Sequence, residues 1–356
     1  MLKKLNITTE NIIAAIFWMI CLIYPFTHNP YYVNNFTYYF IMIIFMMSLY
    51  VLWGFTGIFS FGQAAFFGVG AYAYGIISKT SPGNQAIRPL ALLVAVAVCF
   101  LSALILGTFI YYGHINASFI GIITFCLSLV LQTFMTQTSG TEWQILGVPL
   151  GGYNGLNDIP VLSVFGISFQ KQSMYFLCFA ASFIFYLIFR RMQHSRTGYT
   201  LFGIRENAER SELFGYDTTL ISTIVFAVGG AIAGFAGVLY ASWSGYIVPS
   251  TLGTSISFIG VIIIALAGRY SITGATVITL LYCWLTRFMA SQGSSYSQII
   301  QGIVLVLIML FIPRGIGETI FSFGDKLLEG IIYGKQRHVS RKRNYEKQGS
   351  YAEQEQ

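Results

Sequence analysis

The 356-residue sequence predicts an all-α polytopic membrane protein, and three observations carry that reading. Apolar residues make up 55% of the chain and charged ones only 9%, with a mean hydropathy of +0.67, well outside the profile of a soluble domain. Between Asn11 and Thr141 only Lys79 and Arg88 carry a formal charge, too few to solvate a water-facing surface. Apolar runs also recur at the length a bilayer demands, about 20 residues for ~30 Å of hydrocarbon.

Ten segments meet or approach that length, at approximately 11–27, 36–54, 62–78, 89–112, 117–137, 173–190, 220–241, 256–268, 272–290 and 297–313. The third, eighth and tenth are short or glycine-rich, so they are expected to be tilted, broken or partly spanning. The expected count is therefore about ten transmembrane or partly spanning helices, within a range of eight to ten. Lys3 and Lys4 before the first run resemble a signal peptide, but the sequence after it, Phe26-Thr27-His28-Asn29-Pro30, has no small-residue cleavage signature. The first helix is expected to stay in the mature protein.

Lys and Arg favour cytoplasmic loops, and their tally sets the orientation. With residues 1–10 inside, the inner side receives Lys3, Lys4, Arg190, Arg191, Arg196, Arg205, Arg210, Arg269, Arg314, Lys326, Lys335, Arg337, Arg341, Lys342, Arg343 and Lys347, which is 16 of the 20. Lys79, Arg88 and Lys171 fall in outer loops, and Arg287 lies near the outer end of the ninth segment. Both termini are thus expected in the cytoplasm, around a membrane domain at 11–313. The net charge of +7 reads as topology rather than as a nucleic-acid footprint.

Three polar regions remain. The outer connection at 138–172 carries the turn-rich Gly151-Gly152-Tyr153-Asn154-Gly155-Leu156, read either as a surface connector or as a gate at the outer mouth. The cytoplasmic segment at 190–219 is the most charged stretch in the body of the chain. It pairs Arg205 with Glu209 and Glu206 with Arg210 at i,i+4, ahead of the helix-ending Gly215. Such pairs contribute only ~0.2–0.5 kcal/mol each, too little for so short a helix to stand alone. Leu201, Phe202, Ile204, Leu213 and Phe214 supply apolar surface there, as a docking element would. The tail at 314–356 starts amphipathic and turns basic, a composition suited to anionic lipid headgroups.

Motifs for catalysis are missing. Gly330-Ile331-Ile332-Tyr333-Gly334-Lys335 has the wrong spacing for a phosphate-binding loop. His28, His114, His194 and His338 are scattered without metal-ligand spacing, and the five cysteines all fall within apolar runs, so neither a metal site nor a cofactor is expected. Every acidic residue lies outside the confident spans, which argues against an ion-coupled secondary carrier without abolishing it, since a sodium site can be built from carbonyls.

Small residues cluster at Gly62 to Gly75 and at Gly229 to Gly237, as close helix packing requires. The two clusters share a Gly-aromatic-small pattern and an expected direction, which leaves a parallel internal repeat open. Gln63, Tyr72, Tyr74 and Gln132 are polar side chains in the spans, and such groups must face protein or water. They are the candidate lining of a translocation path without fixed charge.

The stretch Gly54-Phe55-Thr56-Gly57-Ile58-Phe59-Ser60-Phe61-Gly62-Gln63-Ala64-Ala65-Phe66-Phe67-Gly68-Val69-Gly70-Ala71-Tyr72 resembles the signature of permease subunits of branched-chain amino-acid ABC importers. So does Gly203-Ile204-Arg205-Glu206-Asn207-Ala208-Glu209-Arg210-Ser211-Glu212-Leu213-Phe214-Gly215, with Gly237-Val238-Leu239-Tyr240-Ala241 downstream. The likeness extends over roughly 35–316, and the same family includes permeases for urea and short amides, to which Gly151 to Leu156 is equally similar. It implies that the cytoplasmic segment is a coupling helix for a separate ATPase, with Glu209 at the acidic start of the motif and Gly215 at its glycine. Arg210 and Ser211 depart from the small residues that the motif prefers. The resemblance further implies a second homologous permease, an extracytoplasmic solute-binding protein, and residence in a bacterial cytoplasmic (inner) membrane.

Overall fold

The computed structural model describes residues 9–291 apart from 82, 165, 269 and 270, together with 302, 303, 315, 317 and 319. The tenth expected segment at 297–313, the basic tail and the first eight residues lie almost wholly outside the described residues. The described helices are α1 (Thr9–Thr27), α2 (Pro30–Tyr50), α3 (Gln63–Thr80), α4 (Ile87–Tyr112), α5 (Ala117–Gln137), α6 (Gln172–Gln193), α7 (Arg196–Glu206), α8 (Ala208–Leu213), α9 (Thr218–Ser244), α10 (Thr254–Ala267) and α11 (Ile272–Ser291). Nine of them coincide with the first nine expected segments.

Seven are long and apolar enough to cross a membrane: α1, α2 with its extension to Thr56, α4, α5, α6, α9 and α11. The other two, α3 and α10, are the third and eighth segments, expected to be broken or partly spanning. At 14 residues α10 is too short to span alone, and α3 is diluted by glycines, Gln63 and Lys79. In the connection at 138–171 the helical piece described is one short 3-10 turn, Gly152–Asn154. The connection folds two small antiparallel hairpins, β1 (Gln144–Ile145) with β2 (Val148–Pro149) and β3 (Ser163–Val164) with β4 (Ile167–Ser168).

Pro30 opens α2, where a missing N–H costs nothing and the ring fixes a helical φ. The helix is apolar on every side and is buried along almost its whole length, as a bundle centre must be. It continues into a π turn, Val51–Thr56, which Gly57 ends at φ 73°, a conformation that L side chains rarely adopt.

The second central helix, α9, is seated by small residues. Gly70 of α3 meets the Gly234 backbone with no room for a Cβ, and Gly237 lies equally close to the Phe67 carbonyl. On α4 every fourth residue is small and buried, through Ala91, Ala95, Cys99, Ala103 and Gly107, and this stripe receives Gly230 and Gly234. The other face of α4 presents Leu93, Leu101, Ile105 and Phe109 outward, as lipid contact requires.

The two glycine clusters therefore face each other. They lie on helices that run in the same direction, but they do not occupy equivalent places in a repeat. What recurs is a helix, an irregular interruption and a helix: α2, residues 57–62 and α3, then α9, residues 245–253 and α10. The leading helices of the two units run in opposite directions, so the likeness is inverted rather than parallel.

Candidate functional site

Helices α7 and α8 form a small hairpin at one end of the bundle. Ser195 caps α7, accepting from Gly198 N at 3.2 Å. Leu201 and Ile204 are buried beneath it, and Phe202 stacks on Phe55 with ring centroids 5.4 Å apart. Three of the five apolar residues expected to face a partner thus pack against their own chain.

Arg205 is the fastening. Its Nη1 donates to the Gly54 carbonyl of the π turn at 2.7 Å, and its guanidinium lies over the Phe202 ring at 5.0 Å. It also pairs with Glu206 Oε1 at 3.0 Å, but Glu206 is 70% exposed, so this contact adds little. The bond to a carbonyl 151 residues away is the one that matters.

The expected i,i+4 pairs, Arg205 with Glu209 and Glu206 with Arg210, do not form on one helix. Asn207 is extended, at φ −162° and ψ 104°, and its Oδ1 accepts from Arg210 N at 2.8 Å. An Asn side chain that satisfies an orphan N–H starts a new helix instead of continuing the old one. Beyond it α8 carries Glu209, Arg210 and Ser211 to Leu213 and Phe214, which are 87% and 83% exposed. Gly215 then turns the chain at φ 86°. Glu212 accepts from Thr218 Oγ1, and Asp217 caps α9 through Leu220 N at 2.8 Å, so the hairpin is tied directly to a central helix.

The candidate lining residues do not form one wall. Gln63 opens α3, buried, with neither Oε1 nor Nε2 finding a partner among the described residues. Tyr72 is nine residues on, about 2.5 turns, and so lies on the opposite face of the helix; its buried hydroxyl is likewise unpartnered among the described residues. Tyr74 donates to the Pro160 carbonyl at 3.0 Å, fastening α3 to the connection at 138–172. Gln132, on α5, abuts Gly253 at the start of α10, where a Cβ would strike its side-chain amide.

Sequence reasoning missed how the first interruption is held. Phe61 N donates to Thr124 Oγ1 at 3.1 Å, and its carbonyl accepts from Ser128 Oγ at 3.2 Å and Ser257 Oγ at 2.7 Å. Hydroxyls from α5 and α10 thereby satisfy backbone that no helix can. The spacing of Thr124 and Ser128, four apart in an apolar run, was the available signal. At the far end Leu156 and Ile247 bridge, with N···O distances of 2.8 and 2.9 Å, seating the connection that contains Gly151 to Leu156 on the interruption after α9.

An apolar helical bundle with irregular backbone inside it and an apolar-tipped hairpin fastened to one end has the build of a multi-pass membrane protein. The family model described as branched-chain amino acid transport system / permease component matches residues 31–309, and the chain belongs to that family. It is similar to the high-affinity branched-chain amino acid transport system permease protein LivM of Salmonella typhimurium (strain LT2), 23% identical over 301 residues that cover 78% of this chain and 67% of the relative. The LivM protein of Escherichia coli (strain K12) is 22% identical over the same shares. A probable branched-chain amino acid transport permease protein LivM of Methanocaldococcus jannaschii is 22% identical over 66% of this chain and 74% of the relative. No solved structure matches the chain.

Proposed function

We propose that the chain is the membrane-spanning subunit of an ATP-driven importer that passes branched-chain amino acids inward, and that α7 and α8 are where a separate ATPase subunit takes hold. The observation that carries the proposal is the exposure of Leu213 and Phe214, at 87% and 83%, on a hairpin that buries Leu201 and Ile204 against its own chain. Water-exposed side chains of that size on a fastened element favour a partner. The seven apolar helices and the permease relatives support a multi-pass place in a bacterial cytoplasmic membrane. In this reading 190–219 and both termini are cytoplasmic and 138–172 is external, where a solute-binding protein delivers. A second homologous permease completes the path, and Gln63, Tyr72, Tyr74 and Gln132 contribute its uncharged polar groups.

The test is reconstitution with the ATPase and binding protein in vesicles. ATP-dependent leucine uptake is expected, with Glu209→Ala keeping the complex while weakening the link between solute arrival and hydrolysis. Uptake of urea or acetamide in place of leucine would move the substrate to the amides. Transport by the chain alone under an ion gradient would refute the importer. A reporter after Thr197 should read as cytoplasmic and one near Asn154 as external; the reverse would overturn the orientation.

A further inference from the structure

Away from the hairpin, α2, α9, α10 and α11 line a half-open cavity of about 270 Å³. Its walls bring together the hydroxyl-bearing Tyr38, Tyr240, Tyr282 and Thr286, the aliphatic Ile259 and the guanidinium of Arg287. Arg287 lies over the Tyr38 ring at 4.6 Å and near Trp243 at 5.8 Å, and its Nη1 reaches Asn35 Oδ1 at 3.3 Å. Among the described residues no carboxylate pairs with it, the one ion pair being Arg205 with Glu206. A half-buried cation held by rings and an amide, with hydroxyls around it and no carboxylate paired to it among the described residues, has the chemistry to receive an oxyanion.

We infer that this cavity binds the carboxylate of a small amphipathic solute, with Arg287 as the charge partner. The volume holds about nine water molecules at ~30 Å³ each, and lies below the range for drug-sized ligands. It suits an amino acid in size: a carboxylate on Arg287, an ammonium against the aromatic rings and an aliphatic side chain toward Ile259. The cavity lies toward the end of α9 that is bonded to the connection at 138–172, where Trp243 Nε1 donates to the Asn34 carbonyl at 2.9 Å. The inference rests on the proposed transport of amino acids for the identity of the solute, but not for the anion site.

The experiment is thermal unfolding of the purified full chain in detergent with leucine, isovalerate or leucinamide, on the parent, Arg287→Gln and Arg287→Lys. Leucine and isovalerate are expected to raise the Tm of the parent and leucinamide not to. Arg287→Gln should raise the half-maximal leucine concentration by about tenfold or more, the usual value of one charge-assisted contact, while Arg287→Lys retains part of the response. Equal shifts in parent and Arg287→Gln, or no shift with either carboxylate, would overturn the inference. So would phospholipid retained by the parent and lost from Arg287→Gln in native mass spectrometry without any carboxylate response, which would make the site one for lipid phosphate. If the parent importer fails to take up leucine, the proposed function falls while the isovalerate shift still decides the anion site. If it takes up leucine and Arg287→Gln does so with unchanged concentration dependence, the inference alone falls.

Discussion

Helices α7 and α8 are neighbours of similar polarity with opposite relations to the bundle. The first spends its apolar residues inward, with Leu201 and Ile204 buried and Phe202 stacked on Phe55. The second leaves Leu213 and Phe214 in the open. The division falls at Asn207, whose side-chain bond to Arg210 N separates a fastening helix from a presenting one. A hairpin built this way holds its position before any partner arrives, so less ordering entropy opposes association.

The sharpest way to break the comparison is at the presenting end. In the proposed complex the ATPase would bury Phe214, a gain of ~1.5–3 kcal/mol, and Phe214→Asp would put a charge in that contact, so the ATPase should be lost during co-purification while the helical content of the chain is unchanged. Retention of the ATPase would show that α8 is not its seat. Next comes the fastening end. Arg205→Met removes a charge-assisted bond to the Gly54 carbonyl, and a loss of ~1.5–3 kcal/mol is expected, read as a lower unfolding temperature and as reduced ATP-dependent uptake by a complex that still assembles.

Asn207→Ala should cost about 1 kcal/mol by removing the cap, with partial loss of ATPase affinity, whereas Asn207→Gly should cost a few tenths. Hydrogen exchange along 208–213 would report the difference. Glu206→Gln should be nearly silent, because an ion pair with so exposed a partner contributes ~0–1 kcal/mol. A large effect there would mean that the 3.0 Å pair, not the bond to Gly54, fastens α7.

The contrast also marks what a sequence displays. Apolar length and helical period announced nine helices, because burial in lipid constrains every residue of a span. The hairpin was legible as a charged, apolar-bearing segment. Its division was not, since the choice between a continued helix and a new one at Asn207 depends on a single side-chain bond competing with the ladder. Arg205 looked like a member of a local pair because Gly54 is distant in the chain. The interruptions at 57–62 and 245–253 have no periodicity to read, and the hydroxyls that satisfy Phe61 come from helices more than sixty residues away. Gln63 and Tyr72 looked like neighbours in one motif, yet their separation of nine residues sends them to opposite faces.

Helix α9 joins the two ends of the molecule without a break. Its 27 residues make a rod of about 40 Å, capped at Asp217 beside the hairpin and bonded at the far end through Ser242 Oγ to Leu162 N and through the Gly245 carbonyl to Ile159 N. Along its middle the glycine contacts with α3 and α4 leave no slack in which a bend could be absorbed. Thr218 and Ser244 are therefore joined by one closely packed shaft, to whose far end the connection at 138–172 is bonded. The hairpin and that connection, at opposite ends of α9, share a single strut.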